Sequence, residues 1–233
     1  MSVLLMTVWL TGCVQEELGS TPSPAGNGIR FTLTVPDVNL PSVSSRTMTG
    51  AGTAKKEDEI KTVDILVFDA SKTPAVYLEW VTATGVTQDL ADNSTVSFSA
   101  VLSPTTASTC IVVVANKELD NIVSGFTKGV TTKVEAMEKM LHAQTGKWLA
   151  DGSTTGGYTR IPMYGEKVIS KITPSMDPIT GINMKRMLAR IDIRNNSATS
   201  NFTVEEVYLA NYNTTGYIAP AWNTNGQVTD PAP

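Results

Sequence analysis

The chain has 233 residues, of which 41% are hydrophobic, so it can bury a sizeable core and is too apolar to remain disordered. Charged residues make up only 17% and the net charge is −4, which excludes the basic face that a nucleic-acid partner needs. Two cysteines, Cys13 and Cys110, allow a single bridge at most, unlike the dense disulfide framework of a small secreted scaffold.

The first stretch, "VLLMTVWLTGC", is an apolar run of signal-peptide length, too short to cross a bilayer as a helix. It ends in Leu10-Thr11-Gly12-Cys13, which resembles the bacterial lipobox: small side chains precede the cut, and the cysteine thiol is the nucleophile that accepts the lipid. Residues 1–13 therefore read as a lipoprotein signal peptide with Cys13 as the lipid anchor to the membrane, although no Lys or Arg precedes the run. Residues 14–28 are rich in Ser, Pro and Gly and read as a flexible tether that lifts a folded domain off the membrane surface.

"GIRFTLTVPDV" follows, with Ile29, Phe31, Leu33 and Val35 alternating against Arg30, Thr32 and Thr34. Period two with β-branched residues predicts a half-buried strand, and Pro36 stops it. Residues 37–59 lack periodicity and read as a long exposed loop holding "SSRTMTG" and the solvated charge run "KKEDE". Further strands are predicted over 61–70, 75–83, 94–102 and 108–116. In "KTVDILVFDA" and "STCIVVVAN" both faces are apolar, which marks central strands and makes Cys110 a buried, unreactive thiol.

From residue 117 the period changes. A short helical turn fits "ELDNIVSGF", and Val130, Val134, Met137 and Leu141 line one face of an amphipathic helix that ends near Gly146. Strands resume over 161–169, 181–195 and 201–213, and residues 221–233 form a polar, turn-rich tail. About nine strands against one clear helix predict an all-β fold, a Greek-key β-sandwich with a helical insertion, spanning 29–220.

Catalytic constellations are sparse. His142 is the sole histidine and lies on the predicted helix, and no glycine elbow surrounds a serine, so no Ser-His-Asp triad emerges. With no Cys pair and no second His there is no metal site, and "GSTTGGYTR" lacks the Gly-Lys-Ser/Thr of a phosphate loop. Glu205 and Glu206 are adjacent on a predicted strand and would face opposite ways. The reading is a protein that is not an enzyme and uses no metal or cofactor.

The lipobox at Cys13, "VDILVFD" at 63–69, "VVVANK" at 112–117, "IPMYGE" at 161–166, "RMLARIDI" at 186–193 and "VYLANYNTTGYIAP" at 207–220 together resemble the fimbrillin family, the subunits of type V pili of Gram-negative anaerobes. The resemblance implies a lipoprotein precursor delivered to the outer membrane, with a transthyretin-like β-sandwich as its N-terminal domain. It also implies an arginine-specific cut in the loop after the first strand, release of that strand, and its replacement by a strand from a neighbouring subunit. Carried onto this chain, the cut falls between Arg46 and Thr47, and the displaced strand is "GIRFTLTV" with Ile29, Phe31, Leu33 and Val35 filling the pockets. Its partners are then other fimbrial subunits, the outer membrane through Cys13, and a host glycan or protein met at the surface. Family members usually carry a second sandwich domain, so residues 221–233 are expected to be a tail or a linker to it. The competing expectation is a glycan-binding surface lipoprotein with Tyr77, Trp80, Trp148, Tyr158 and Tyr164 as an aromatic platform. A hydrolase is a third, and it needs two carboxylates sharing a cleft.

Overall fold

β1 (Ile29–Thr34) alternates buried and more accessible residues, and it lies inside a sheet, not at its edge. The computed structural model describes residues 29–35, 58–88, 95–143, 160–188, 203–208, 210 and 213–219. Within them, β1 sits between β5 (Thr95–Ala100) and β9 (Ile179–Asn183), and β4 (Thr84–Gln88) completes a four-stranded sheet in the order β4-β5-β1-β9. A second sheet of five strands runs β10-β8-β6-β2-β3, built from β2 (Val63–Asp69), β3 (Val76–Thr82), β6 (Thr109–Ala115), β8 (Met163–Ile169) and β10 (Lys185–Arg186).

The two sheets share one core. Ile29, Phe31, Leu33 and Val35 of β1 and its end meet Val96, Phe98 and Ala100 of β5, and across the sandwich Val63, Ile65 and Val67 of β2 and Ile111 and Val113 of β6. This is the all-β sandwich expected from the strand pattern.

β2 and β6 are buried at nearly every position because their second face is covered as well. Leu66 and Phe68, with Cys110, Val112 and Val114, pack under α1 (Asp120–Val123) and α2 (Lys133–Glu138) through Val123, Ala136 and Met137, with Leu119, Met140 and Ile218 alongside. A small third sheet pairs β7 (Leu141–Ala143) with β11 (Thr215–Tyr217). The helical insertion is thus a lid on the outer face of the second sheet.

Several expectations change here. The helix is shorter and turned differently from the predicted one. Thr132 and Glu135 form a reciprocal capping box that starts α2 at Lys133. Val130 therefore precedes the helix, and both it and Val134 are exposed, while Ala136, Met137 and Met140 are buried. Packing against the sheet, not the summed periodicity, selects the face of so short a helix.

The predicted strand 181–195 is divided. β9 pairs with β1 in one sheet and β10 with β8 in the other, so the chain crosses the sandwich at Met184, and residues 189–195 lie outside the described ones. Residues 203–208, expected within a strand, are exposed and form none, while β4 was not anticipated at all. Among the described residues, no helix is long and apolar enough to cross a membrane.

Candidate functional site

The apolar face of β1 is where the sequence placed its main functional expectation, and the structure puts all four residues in the core. Ile29, Phe31, Leu33 and Val35 are 4%, 1%, 0% and 1% exposed. The Phe31 ring stacks on Phe98 of β5, centroids 4.9 Å apart and planes 8° from parallel.

Hydrogen bonding around β1 is uneven. Against β5 it forms an unbroken antiparallel ladder from Ile29↔Ala100 to Thr34↔Thr95. Against β9 it runs parallel and pairs only Phe31↔Ile179, Leu33↔Ile182 and Thr34↔Asn183, with a register shift between Phe31 and Leu33. Gly181, at φ +71°, supplies the left-handed backbone beside that shift. Thr34 also accepts from the Met184 amide at 2.9 Å. Removing β1 would leave a slot with an antiparallel edge on one side, a parallel edge on the other, and a floor of Ile65 and Ile111 among others.

Residues 58–61 lead into β2, and each of the four is held. Asp58 pairs through its carboxylate with Arg186, and its carbonyl accepts from Gln88 Nε2 at 2.8 Å. Glu59 meets Arg160 at 3.2 Å, and its carbonyl accepts from Asn116 Nδ2 at 2.8 Å. The Ile60 amide donates to Gln88 Oε1 at 3.0 Å while its side chain is buried in the sandwich core. The Lys61 amide donates to Asn116 Oδ1 at 2.9 Å.

Asn116 is central to this arrangement. It follows β6 with φ +59°, the left-handed region that Asn tolerates better than most residues. Its own amide donates to Thr62 O at 3.0 Å, and Nδ2 reaches Ile161 O at 3.0 Å as well as Glu59 O. "KKEDE" was read as a solvated charge run, but its last two residues are engaged in these pairs; Lys55, Lys56 and Glu57 lie outside the described residues.

Other candidates resolve differently. Cys13, Arg46 and Thr47 lie outside the described residues. His142 sits on β7 opposite Gly216, not on a helix. The aromatic platform does not assemble from the rings that are described. Tyr77 packs edge-on against Phe68 and Phe126 at 6.0 and 5.4 Å, Trp80 donates Nε1–H to Asp64 Oδ1 at 3.0 Å, and Tyr164 is buried. All three belong to the helix-covered core, and Trp148 and Tyr158 lie outside the described residues.

Buried titratable groups cluster on that same covered face. Burial, and then the neighbouring Glu166 that accepts its hydrogen bond, push the Tyr164 hydroxyl far up; Glu166 also pairs with Lys133. Burial likewise raises the Cys110 thiol, which keeps it protonated and inert, as expected for a core cysteine. Among the described residues, no group of three or more His, Cys, Asp or Glu is placed to hold a metal ion. β1 with its two unlike edges, and the hydrogen bonds that hold residues 58–61, are the features that bear on how the N-terminal part of the sandwich is retained.

Compared with family models, residues 29–184 match the one described as major fimbrial subunit protein (FimA), a span running from the start of β1 to just past β9. No curated protein matches the chain. Among solved structures, a fimbrial assembly protein from Parabacteroides distasonis is similar at 13% identity and TM-score 0.43, over 87% of this chain and 72% of that one. A protein from the same organism assigned to cell adhesion is similar at 16% identity and TM-score 0.41, over 70% of this chain and 46% of that one, so the chain spans under half of that relative.

Proposed function

The chain belongs to the family of major fimbrial subunit proteins, and on that premise we propose that β1 is a place-holder strand, given up to a neighbouring subunit as a cell-surface fimbria assembles. The family is one of structural subunits, so the work to be explained is assembly and not catalysis.

The observation that carries the reading is that the strand nearest the N-terminus among the described residues is interior to its sheet. Its three buried side chains and that of Val35 just after it each contribute roughly 1.5–3 kcal/mol, a sum comparable to the whole stability of an ordinary domain, about 5–15 kcal/mol. Such a strand does not leave spontaneously. It can be exchanged for another extended segment that refills the same pockets and satisfies the same backbone groups on β5 and β9. The parallel, interrupted pairing with β9 is the weaker side, where an incoming strand meets least resistance.

The rest of the proposal lies in segments outside the described residues. A cut between Arg46 and Thr47 frees β1 from β2, and a lipid on Cys13 holds the precursor at the outer membrane, with residues 14–28 as the tether. The test treats purified precursor with an arginine-specific protease. The expected product is a folded domain beginning at Thr47, with the β1 fragment retained until a strand-donating subunit is added and then released. Arg30 should resist because it pairs with Ser99 in the unbroken β1–β5 ladder of a strand interior to its sheet. A chain that stays intact at Arg46, or that loses β1 and aggregates without exchanging it, contradicts the reading. Membrane fractionation of Cys13→Ala separately tests the anchor, which fails if the variant remains with the membrane.

A further inference from the structure

The clamp on residues 58–61 does not belong to the slot, and its hydrogen bonds are unusually concentrated for the entry to a strand. Chain ends and protease-nicked loops fray inward until something holds the backbone. β2 is the element that cannot be allowed to fray, because Val63, Ile65 and Val67 form part of the core against which β1 packs. If a new chain end loosened β2, the slot would collapse when β1 left.

We propose that Asn116, with Gln88 and Arg186, forms an anchoring site for residues 58–61 that stops fraying at Asp58 once the chain before it is cut, so that the slot keeps its shape while β1 is exchanged. The inference rests on the processing reading above, and it adds the site that makes a cut there harmless. The three holding groups come from different parts of the fold, and Gln88 and Asn116 each hold two of the four residues. Gln88 ends β4, Asn116 follows β6, and Arg186 belongs to β10, so both sheets hold the segment. Asn116 does most, since it accepts from Lys61, donates to Glu59, and bonds the entry of β8 through Ile161 O. Its backbone amide holds Thr62 as well, so the Lys61–Thr62 peptide is fixed on both sides. Ile60, buried in the same core, seals the segment from inside.

Lys61 makes the proposal measurable, because its side chain is exposed while its backbone is held. Limited trypsin digestion of the full chain, followed by mass analysis of the fragments, compares the bonds after Arg46, Lys55 and Lys56 with the bond after Lys61. The expected result is that fragments starting at Thr47, Lys56 or Glu57 accumulate while the Lys61–Thr62 bond survives. In Asn116→Gly, which accepts the positive φ without strain but loses the side-chain bonds, cutting after Lys61 should accelerate roughly tenfold to a hundredfold. Gln88→Ala, at the end of a sheet strand, should accelerate it about tenfold and serves as the second variant should Asn116→Gly fail to fold. Lys61 cut in the native chain as fast as Lys55 and Lys56 overturns the anchor, as does unchanged Lys61 protection in a folded variant. If the bond after Arg46 resists while the variants still expose Lys61, the anchor stands and the processing reading falls.

Discussion

Asp64 is 5% exposed on the helix-covered face of β2, with Trp80 Nε1 and Thr82 Oγ1 both donating to its Oδ1, at 3.0 and 2.8 Å. Burial raises its pKa above the ordinary 3.8, outweighing those two bonds, and the negative charges of Asp120 and Glu118 push the same way. A carboxyl that holds its proton better folded than unfolded favours folding below that ordinary value. The contribution is lost as pH rises through the folded-state pKa, so at neutral pH the buried charge opposes folding. Asp64→Asn keeps an oxygen for both donors and removes the charge. The variant should melt higher than the native chain at pH 7, with the gap closing as pH falls toward about 4. Thermal melts at the two pH values check this, and a lower melting point at pH 7 or a pH-independent gap contradicts it. Residue-scale roles such as this are poorly legible in a sequence. "VDILVFD" shows a central strand, but that Asp64 meets Trp80 depends on a register no local pattern states. Asn116 is the same case, its partners Glu59, Lys61 and Ile161 being far apart in the chain.

At the scale of elements, the crossing from β9 to β10 explains a glycine. Around Gly165 on β8, an added Cβ would lie 2.8 Å from Met184 Sδ, 2.9 Å from Asn183 O and 2.9 Å from Ile182 Cγ2. The chain leaves one sheet and joins the other by passing directly over β8, and only a missing side chain lets it pass. Gly165→Ala should therefore destabilise the domain by roughly 1–3 kcal/mol, because one of the contacts is backbone and cannot rotate away. Urea unfolding measures it, and a variant within about 0.5 kcal/mol of the native chain contradicts it. This crossing also shows why 181–195 misleads as a sequence. Met187, Ala189, Ile191 and Ile193 alternate as a half-buried strand would, and only the change of parity after Ile182 and Met184 marks where the backbone passes between the sheets. By contrast β1, β2, β3, β5, β6 and β8 fall where the sequence places them, through alternation in β1 and β5 and through continuous β-branched apolar runs bounded by turn residues in β2 and β6. Short pieces such as β7, β10 and β11 are set by their neighbours.

At the scale of the whole molecule, the sandwich needs some strand between β5 and β9, and what the slot demands of it is a pattern more than a sequence. Side chains at Ile29, Phe31, Leu33 and Val35 face the core, while Arg30 and Thr32 on the other face remain partly accessible. A strand displaced by one residue turns every apolar side chain to the wrong face. If β1 is exchanged as proposed, a domain cut before Thr47 and freed of its β1 fragment should bind a labelled peptide of residues 28–35 and gain thermal stability from it. At a free peptide concentration a hundred times the Kd, that gain is about 2.7 kcal/mol. A peptide of identical composition with 29 and 30, 31 and 32, and 33 and 34 exchanged pairwise should bind at least roughly a hundredfold more weakly, since three apolar side chains lose their pockets. Fluorescence anisotropy and melting temperature read both peptides. Equal binding would mean that the slot recognises extended backbone alone, and the buried face of β1 would then play no part in choosing what replaces it.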